Sequence, residues 1–465
     1  MMIHSRVPIH TNWHVQTPLT SALENPMTKQ FVATSTRLVV TTVQITVVSF
    51  LLTVFVMNSA DPVLATEPVT DSGTANDWPQ WRGPTRDGVV VGFSIPEIWP
   101  KSLDEQWSVE VGAGYSSPVV ANGLVYQLSR EDDEEQVRCL ELQTGKTIWH
   151  ASYPASGGVH RAAASHGIGP KSTPVIARGK LYTLGIGSIL SCFKAETGEL
   201  LWRKAFDGQF PQPAPSCGTS MSPLIEGNLC IVHVGLDRRG ALYAFDADTG
   251  QQRWEYAGDG PGYGSPIVAS LGGKRQIVAP VSKFLAGIHI QSGDLLWRES
   301  FPTYSTQNII TPVQHRDMII IGGIGQPIVA LRPNKDDGAT TVKRIWENQA
   351  DPLHMSSPVV LGGKLFGLSH TRAGHLFCLD ANTGKVLWRG EGRFAKSVAI
   401  LVVDNLLALL TSEGSLIFAK PTPMGLDRIA EYHVDPNGRT WAHPVLLGNR
   451  MLVKGDVNLS CWSLP

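Results

Sequence analysis

Residues 378–388 read CLDANTGKVLW, and the same frame returns four more times. The copies are CLELQTGKTIW at 139–149, CFKAETGELLW at 192–202, AFDADTGQQRW at 244–254 and GIHIQSGDLLW at 287–297. Each copy carries a glycine four positions before the tryptophan, with Thr or Ser before the glycine. Self-similarity of this kind decides the fold before composition does. A second period runs with it. Short Ser/Thr–Pro–aliphatic starts stand at 116–120 (SSPVV), 172–176, 221–225, 264–268, 310–314 and 356–360, with weaker versions at 396–400 (KSVAI) and 442–446 (AHPVL). Between a start and the next tryptophan lie two further strand-like runs, such as KLYTL then ILSCF, or KLFGL then HLFCL.

The unit is therefore four short strands over about 40–50 residues, the size of a propeller blade. Eight starts predict an all-β, eight-bladed β-propeller of four-stranded blades. Trp107, Trp149, Trp202, Trp254, Trp297, Trp346 and Trp388 mark the outer strands, with Tyr432 in the eighth place. The propeller opens on an outer strand at 104–111 and closes on a third strand at 457–464. Pairing the two completes one blade from both termini and removes two open sheet edges. Gly145, Gly198, Gly250, Gly293 and Gly384 supply the positive φ of a tight hairpin between third and fourth strands. Asp246 and Asp380, just upstream, suit side-chain bonds to turn amides. The indoles are large enough to fill the wedge between blades, which widens toward the rim. The repeat residues read as structural.

Composition agrees with many short strands and turns: 46 glycines and 31 prolines in 465 residues, 42% apolar and 17% charged. A net charge of −1 gives no electrostatic reason to expect nucleic acid as a partner. Six cysteines are too few for a disulfide scaffold, and no CxxC or CxxCH occurs. Cys139, Cys192 and Cys378 fall at one equivalent strand position and read as small buried residues. QTGKT at 143–147 lacks the first glycine of a P-loop and is a blade hairpin. The acidic run 131–135 reads as a solvated hairpin tip.

The amino terminus differs in kind. Lys29 and Arg37 precede the apolar stretch 38–57, and VLA at 63–65 suits signal cleavage. The same stretch is long enough to span a bilayer. A cleaved signal peptide and a retained inner-membrane anchor both fit, and both export the rest to the periplasm or cell envelope. The expected divisions are 1–65 for this extension, 66–77 for a polar linker, 78–103 for a Trp/Pro-rich arm packed across blades, and 104–465 for the propeller.

The frame LDANTGKVLW resembles the pyrroloquinoline quinone (PQQ) repeat, the tryptophan-docking motif of eight-bladed quinoprotein propellers, and the resemblance covers 104–464. The leader DWPQWRGPTRDG (77–88) is similar to that of exported bacterial PQQ-like propellers of the planctomycete type. Two functions come with the resemblance. Quinoprotein dehydrogenases hold PQQ and Ca²⁺ in the central channel, under an adjacent Cys–Cys pair and with acidic metal ligands. This sequence has no adjacent cysteines, and Asp259, Asp351, Glu391 and Asp435 are scattered single acids in the loops. Ca²⁺ asks for six or more oxygens, so PQQ with Ca²⁺ is disfavoured as a cofactor. The other relative is the BamB-like scaffold of outer-membrane protein assembly, a lipoprotein whose anchoring cysteine has no counterpart near this signal region. The expected function is a non-catalytic, monomeric binding or scaffold propeller at the envelope. A PQQ-dependent oxidoreductase and a BamB-type assembly factor are the alternatives.

Loops joining fourth to first strands share one face around the channel mouth. The longest, 150–173, brings His160, Arg161, His166 and Lys171; others bring Tyr263, His354, Arg393, Lys396, Arg439 and His443. A cationic and aromatic mouth suits an anionic or sugar-like ligand, with an envelope protein as the other expected partner. The competing reading is that each side chain satisfies nearby loop carbonyls.

Overall fold

The computed structural model describes residues 77–464 except 94, 156–163, 165–166, 207, 211–214, 335–340 and 436–438. The extension 1–65 and the linker up to residue 76 lie outside the described residues. Among those described, no helix is long and apolar enough to cross a membrane.

Eight four-stranded antiparallel blades follow one another along the chain, and one of their sheets gains a fifth, parallel strand from the arm. Blade 1 is Val119–Ala121, Leu124–Glu131, Glu134–Glu141 and Thr147–Pro154. Blades 2 to 7 repeat the plan at 175–204, 224–257, 267–300, 313–348, 359–389 and 398–433. Blade 8 takes three strands from 445–463 and its outer strand, Asp104–Glu110, from the start of the propeller. Trp107 pairs with Cys461 and Glu110 with Asn458, so the expected closure is present.

The repeated glycines have φ of 70–76°. Asp246 Oδ1 accepts from the amides of Asp248 and Thr249, and Asp380 Oδ1 from those of Asn382 and Thr383, which fixes the hairpins. The glycine also works between blades. Trp107, Trp149, Trp202, Trp254 and Trp346 donate their indole N–H to Leu142, Ala195, Ala247, Ile290 and Ala381 of the next blade, at 2.9–3.1 Å. Each acceptor lies three residues before the repeat glycine. A Cβ at Gly145, Gly198, Gly250 or Gly293 would come within 2.5–2.8 Å of the neighbouring indole, so the ring docks on bare backbone.

The Ser/Thr–Pro starts make a second, inner set of links. Ser117 N donates to the Thr173 hydroxyl, Thr173 N to Ser222, Ser222 N to Ser265, Thr311 N to Ser357, and His443 N to Ser117. The inner and outer links fall on the same five interfaces: 8/1, 1/2, 2/3, 3/4 and 5/6. At 4/5, 6/7 and 7/8 neither is present among the described residues. There the next blade has no repeat glycine. Trp297 turns its N–H to Gln276 Oε1 of its own blade at 2.5 Å, and Trp388 Nε1 has no partner.

The arm runs inside the ring. Asp77 caps the turn at Asn122, Trp78 forms a bridge with Val120, and the Ile176 amide donates to Pro79 O. After a tight bend the arm returns as Val89–Val90, which pairs in parallel with Val402 and Val403 on the inner edge of blade 7. Phe93 then stacks on Phe418, and Trp99 packs against the same ring at a tilt. The channel is thus filled by the chain itself.

Candidate functional site

The bend of the arm sits beneath the channel mouth and spreads three side chains to the blades around it. Trp81 Nε1 donates to Thr311 Oγ1 of blade 5 at 2.9 Å, and its ring lies 4.5 Å from His443 of blade 8. Arg82 Nη2 donates to Pro358 O of blade 6 at 2.7 Å. Arg86 reaches Pro266 O at 2.8 Å and Pro223 O, in blades 4 and 3, and is held by Gln80 Oε1 at 2.7 Å. The acceptors are carbonyls at the Ser/Thr–Pro starts, where proline lets the strand begin without donating an N–H of its own. Both guanidiniums are buried, and burial lowers Arg82 to about 10 and Arg86 to about 9, so both stay cationic at neutral pH.

Above the bend, a cavity of about 60 Å³ is lined by Trp81, Met355, Ser397, Thr440, Trp441 and His443 with apolar neighbours. His443 is 6% exposed and its Nδ1 has no partner. Burial, and then the charge of Arg82, press its pKa down to about 3, so the imidazole is neutral. Lys396 and Arg439, next in sequence to the lining residues Ser397 and Thr440, are exposed. The Arg439 guanidinium is 3.8 Å from Asp456, a solvent-screened pair. Lys454, which the sequence reading missed, is buried behind Thr440, bonds the carbonyls of Gly455 and Asp456, and is lowered by burial to about 8.

The other expected mouth residues gather elsewhere. Lys171 Nζ donates to Cys217 O at 2.9 Å, and burial lowers it to about 8. The Cys217 amide donates to the Tyr263 hydroxyl, which donates to Asp237 Oδ1 at 3.0 Å. Burial, with Cys217 and Asp237 nearby, pushes the phenol up. These two side chains hold the loop around Cys217. His354 Nε2 is 3.4 Å from Gln307 Oε1 and its ring is 5.8 Å from His370. Arg393 is exposed, at φ 64°, on a loop fixed by its amide to Arg372 O. His160, Arg161 and His166 lie outside the described residues. So the expected set divides: His443 lines the Trp81 cavity, Lys396 and Arg439 stand next in sequence to its lining residues Ser397 and Thr440, Lys171 and Tyr263 belong to the Cys217 loop, and His354 and Arg393 line neither.

The residues in the channel do not fit a quinone with Ca²⁺. The arm occupies the axis, and its two buried cations oppose a divalent metal. Among the described residues no group of three His, Cys, Asp or Glu side chains is placed to hold one. The cavity at the mouth is far below the roughly 300–1,000 Å³ of ordinary small-molecule sites.

A family model described as outer membrane protein assembly factor BamB matches residues 133–390 and 326–421. A protein of that name from Burkholderia pseudomallei is 24% identical over 385 residues, covering 79% of this chain and 90% of that protein. Another from Yersinia pestis is 24% identical over 386 residues, covering 80% and 81%. Among solved structures, BamB from Moraxella catarrhalis superposes with a TM-score of 0.56 at 14% identity, covering 78% of this chain and 98% of that one.

Proposed function

The chain belongs to the propeller family described as outer membrane protein assembly factor BamB, and from that membership we propose a non-catalytic binding or scaffold protein of the cell envelope. Its partners are envelope polypeptides, and its work is to hold them, not to turn over a redox substrate. The observation that carries this reading is the arm. Trp78 to Val90 fill the axis of the ring, the position at which the quinoprotein relatives of the fold keep their cofactor. The rim suits a scaffold. Among the described residues, all eight blades end in an outer strand whose far edge pairs with nothing in its sheet, a form of surface that takes an added peptide strand through main-chain bonds.

The test is reconstitution. Purified protein is mixed with PQQ and Ca²⁺, titrated calorimetrically, and assayed with a dye acceptor against alcohols and sugars. No heat of binding and no dye reduction are expected. Saturable binding together with cofactor-dependent dye reduction would overturn the scaffold reading in favour of an oxidoreductase. Fractionation of cells carrying the full chain checks its place: recovery in the envelope fraction is expected, and recovery in the cytosol contradicts export.

A further inference from the structure

The outer strands of the eight blades are not alike at their open edges. Seven of them carry at least one Asp, Glu, Lys or Arg, from Arg203 and Lys204 in blade 2 to Asp104, Glu105 and Glu110 in blade 8. Charge on an edge strand keeps a foreign strand from pairing there, as does a short strand. Blade 1 has neither protection. Its outer strand, Thr147–Pro154, reads TIWHASYP and holds none of those four residue types. It runs for 8 residues, against 4 in blade 6 and 5 in blade 2. One edge pairs with Glu134–Glu141, and among the described residues the other makes no main-chain bond.

The side chains beside that edge define the strand that fits it. Trp149, Ala151 and Tyr153 lie on one face, packed in the seam with blade 2, where the Trp149 indole donates to Ala195 O. Ile148, His150 and Ser152 lie on the other and are exposed. An added strand continues both faces, so its alternate residues extend the apolar seam and the rest face solvent. Charge marks one end of the edge. Pro154 stands opposite Glu134, which closes the exposed acidic tip 131–134. Arg130 and Arg138 contact Asp133 and Glu131, and among the described residues Asp132 and Glu134 are in no ion pair.

We propose, resting on the scaffold reading above, that the outer edge of blade 1 binds an extended polypeptide strand of about six to eight residues. The strand is apolar at alternate positions and carries Lys or Arg at the end beside the acidic tip. Antiparallel addition, the more stable pairing, sets the amino end of the strand and its basic residues beside 131–134.

A fluorescent octapeptide, KKTVTVSV, titrated by anisotropy into the purified full chain tests this. Saturable binding is expected, and hydrogen exchange should slow at the amides of 147–154 but not at those of 386–389 in blade 6. Ile148→Lys gives this edge the charge that the others carry, and should weaken binding at least about 5-fold. Leu387→Lys, equally exposed and likewise just before its blade's tryptophan, should leave binding unchanged. Asp132→Asn with Glu134→Gln should weaken it about 2- to 5-fold, and the counterpart peptide EETVTVSV should bind more weakly than KKTVTVSV. No saturation up to about 1 mM peptide, unchanged exchange along 147–154, or an equal loss from Leu387→Lys overturns the proposal. Equal binding of the two peptides overturns it too, since the acidic tip would then play no part. Each of these failures leaves the scaffold reading standing, which the PQQ and dye assay decides.

Discussion

Compare the interface between blades 3 and 4 with that between blades 6 and 7. At the first, Trp254 rests on Gly293 and donates to Ile290 O, and at the channel the Ser222 amide donates to the Ser265 hydroxyl. At the second, Trp388 finds no glycine and no acceptor, and the nearest inner contact is an out-of-step bond from Val398 N to Ser356. The first pattern serves five interfaces. The other three are bridged by the arm: Arg86 and Trp81 reach blades 4 and 5, Arg82 and Val89–Val90 reach 6 and 7, and Trp99 with Pro100 packs on Phe418 and Tyr432 of blade 7 before the chain enters blade 8. Repetition closes most of the ring, and a single unrepeated segment closes the part where repetition fails.

Removing the arm should therefore have the largest effect. Deleting residues 77–92 exposes the inner edge of blade 7 and takes away Trp78 and Val90, buried in the cluster shared by blades 7, 8 and 1. Loss of one buried tryptophan alone costs about 3–5 kcal/mol, so the deletion should exceed that and lower the melting temperature sharply. A truncated ring that melts at the temperature of the full chain would refute a bridging role.

This division also explains what could be read in advance. Gly145, Gly198, Gly250, Gly293 and Gly384 announced the blades because the same residue types recur at the same spacing, and ring closure followed from counting strands. The insertion of the arm was not legible. It occurs once, so it has no period, and its partners at Pro223, Pro266 and Pro358 are main-chain carbonyls that leave no side-chain signature. Nor could the sequence sort the mouth. Lys171 and Tyr263 look like ligand groups until the fold sets Cys217 between them. Two arginines among Trp, Pro and Gly at 78–86 were the only hint of a channel occupant.

Acid should strike both kinds of region, and the two buried histidines separate them. Burial, with Arg82 adding, holds His443 at about 3 beside the arm, and burial holds His233 at about 4 within regular blade 3, its Nε2 bonded to Asp259 O at 3.0 Å. Unfolded histidine titrates near 6.5, so below that pH the unfolded chain binds more protons than the folded one. The contribution of each is full above about pH 6.5 and falls as pH drops toward 4 and 3. The slope approaches about 1.4 kcal/mol per pH unit for each histidine. Midpoints measured from pH 7 to 4.5 should fall steeply, and His443→Asn and His233→Asn should each flatten the curve. If only His233→Asn does so, His443 is not buried against the arm.

The doubled role of the repeat glycine gives a smaller, cleaner contrast. Gly198 has φ +74° and lies against Trp149, where a Cβ would come to 2.5 Å. Gly123 has nearly the same φ, +75°, and nothing within 4 Å. Alanine at 123 should cost only the left-handed backbone, about 1–2 kcal/mol. At 198 the indole must also be displaced, so Gly198→Ala should cost clearly more in denaturant unfolding. Equal losses would mean that the glycine serves the hairpin alone and that docking does not need bare backbone.

The smallest effect isolates the docking bond itself. Trp254 and Trp388 occupy equivalent places, are 7% and 8% exposed, and differ in that Trp254 Nε1 donates to Ile290 O at 2.9 Å while Trp388 Nε1 donates to nothing. Phenylalanine at either site removes similar apolar volume, so the packing terms should nearly cancel between the two variants. At 254 it also strands a buried carbonyl, whereas at 388 it removes a buried donor that was already unsatisfied. Net hydrogen bonds contribute about 0.5–1.5 kcal/mol, and a stranded group costs about 1–3 kcal/mol. Trp254→Phe should thus be worse than Trp388→Phe by about 1–2 kcal/mol, read as a difference in urea midpoint at unchanged slope. If the two variants lose the same stability, the indole N–H contributes nothing to docking, and the regular interfaces differ from the bridged ones in packing alone.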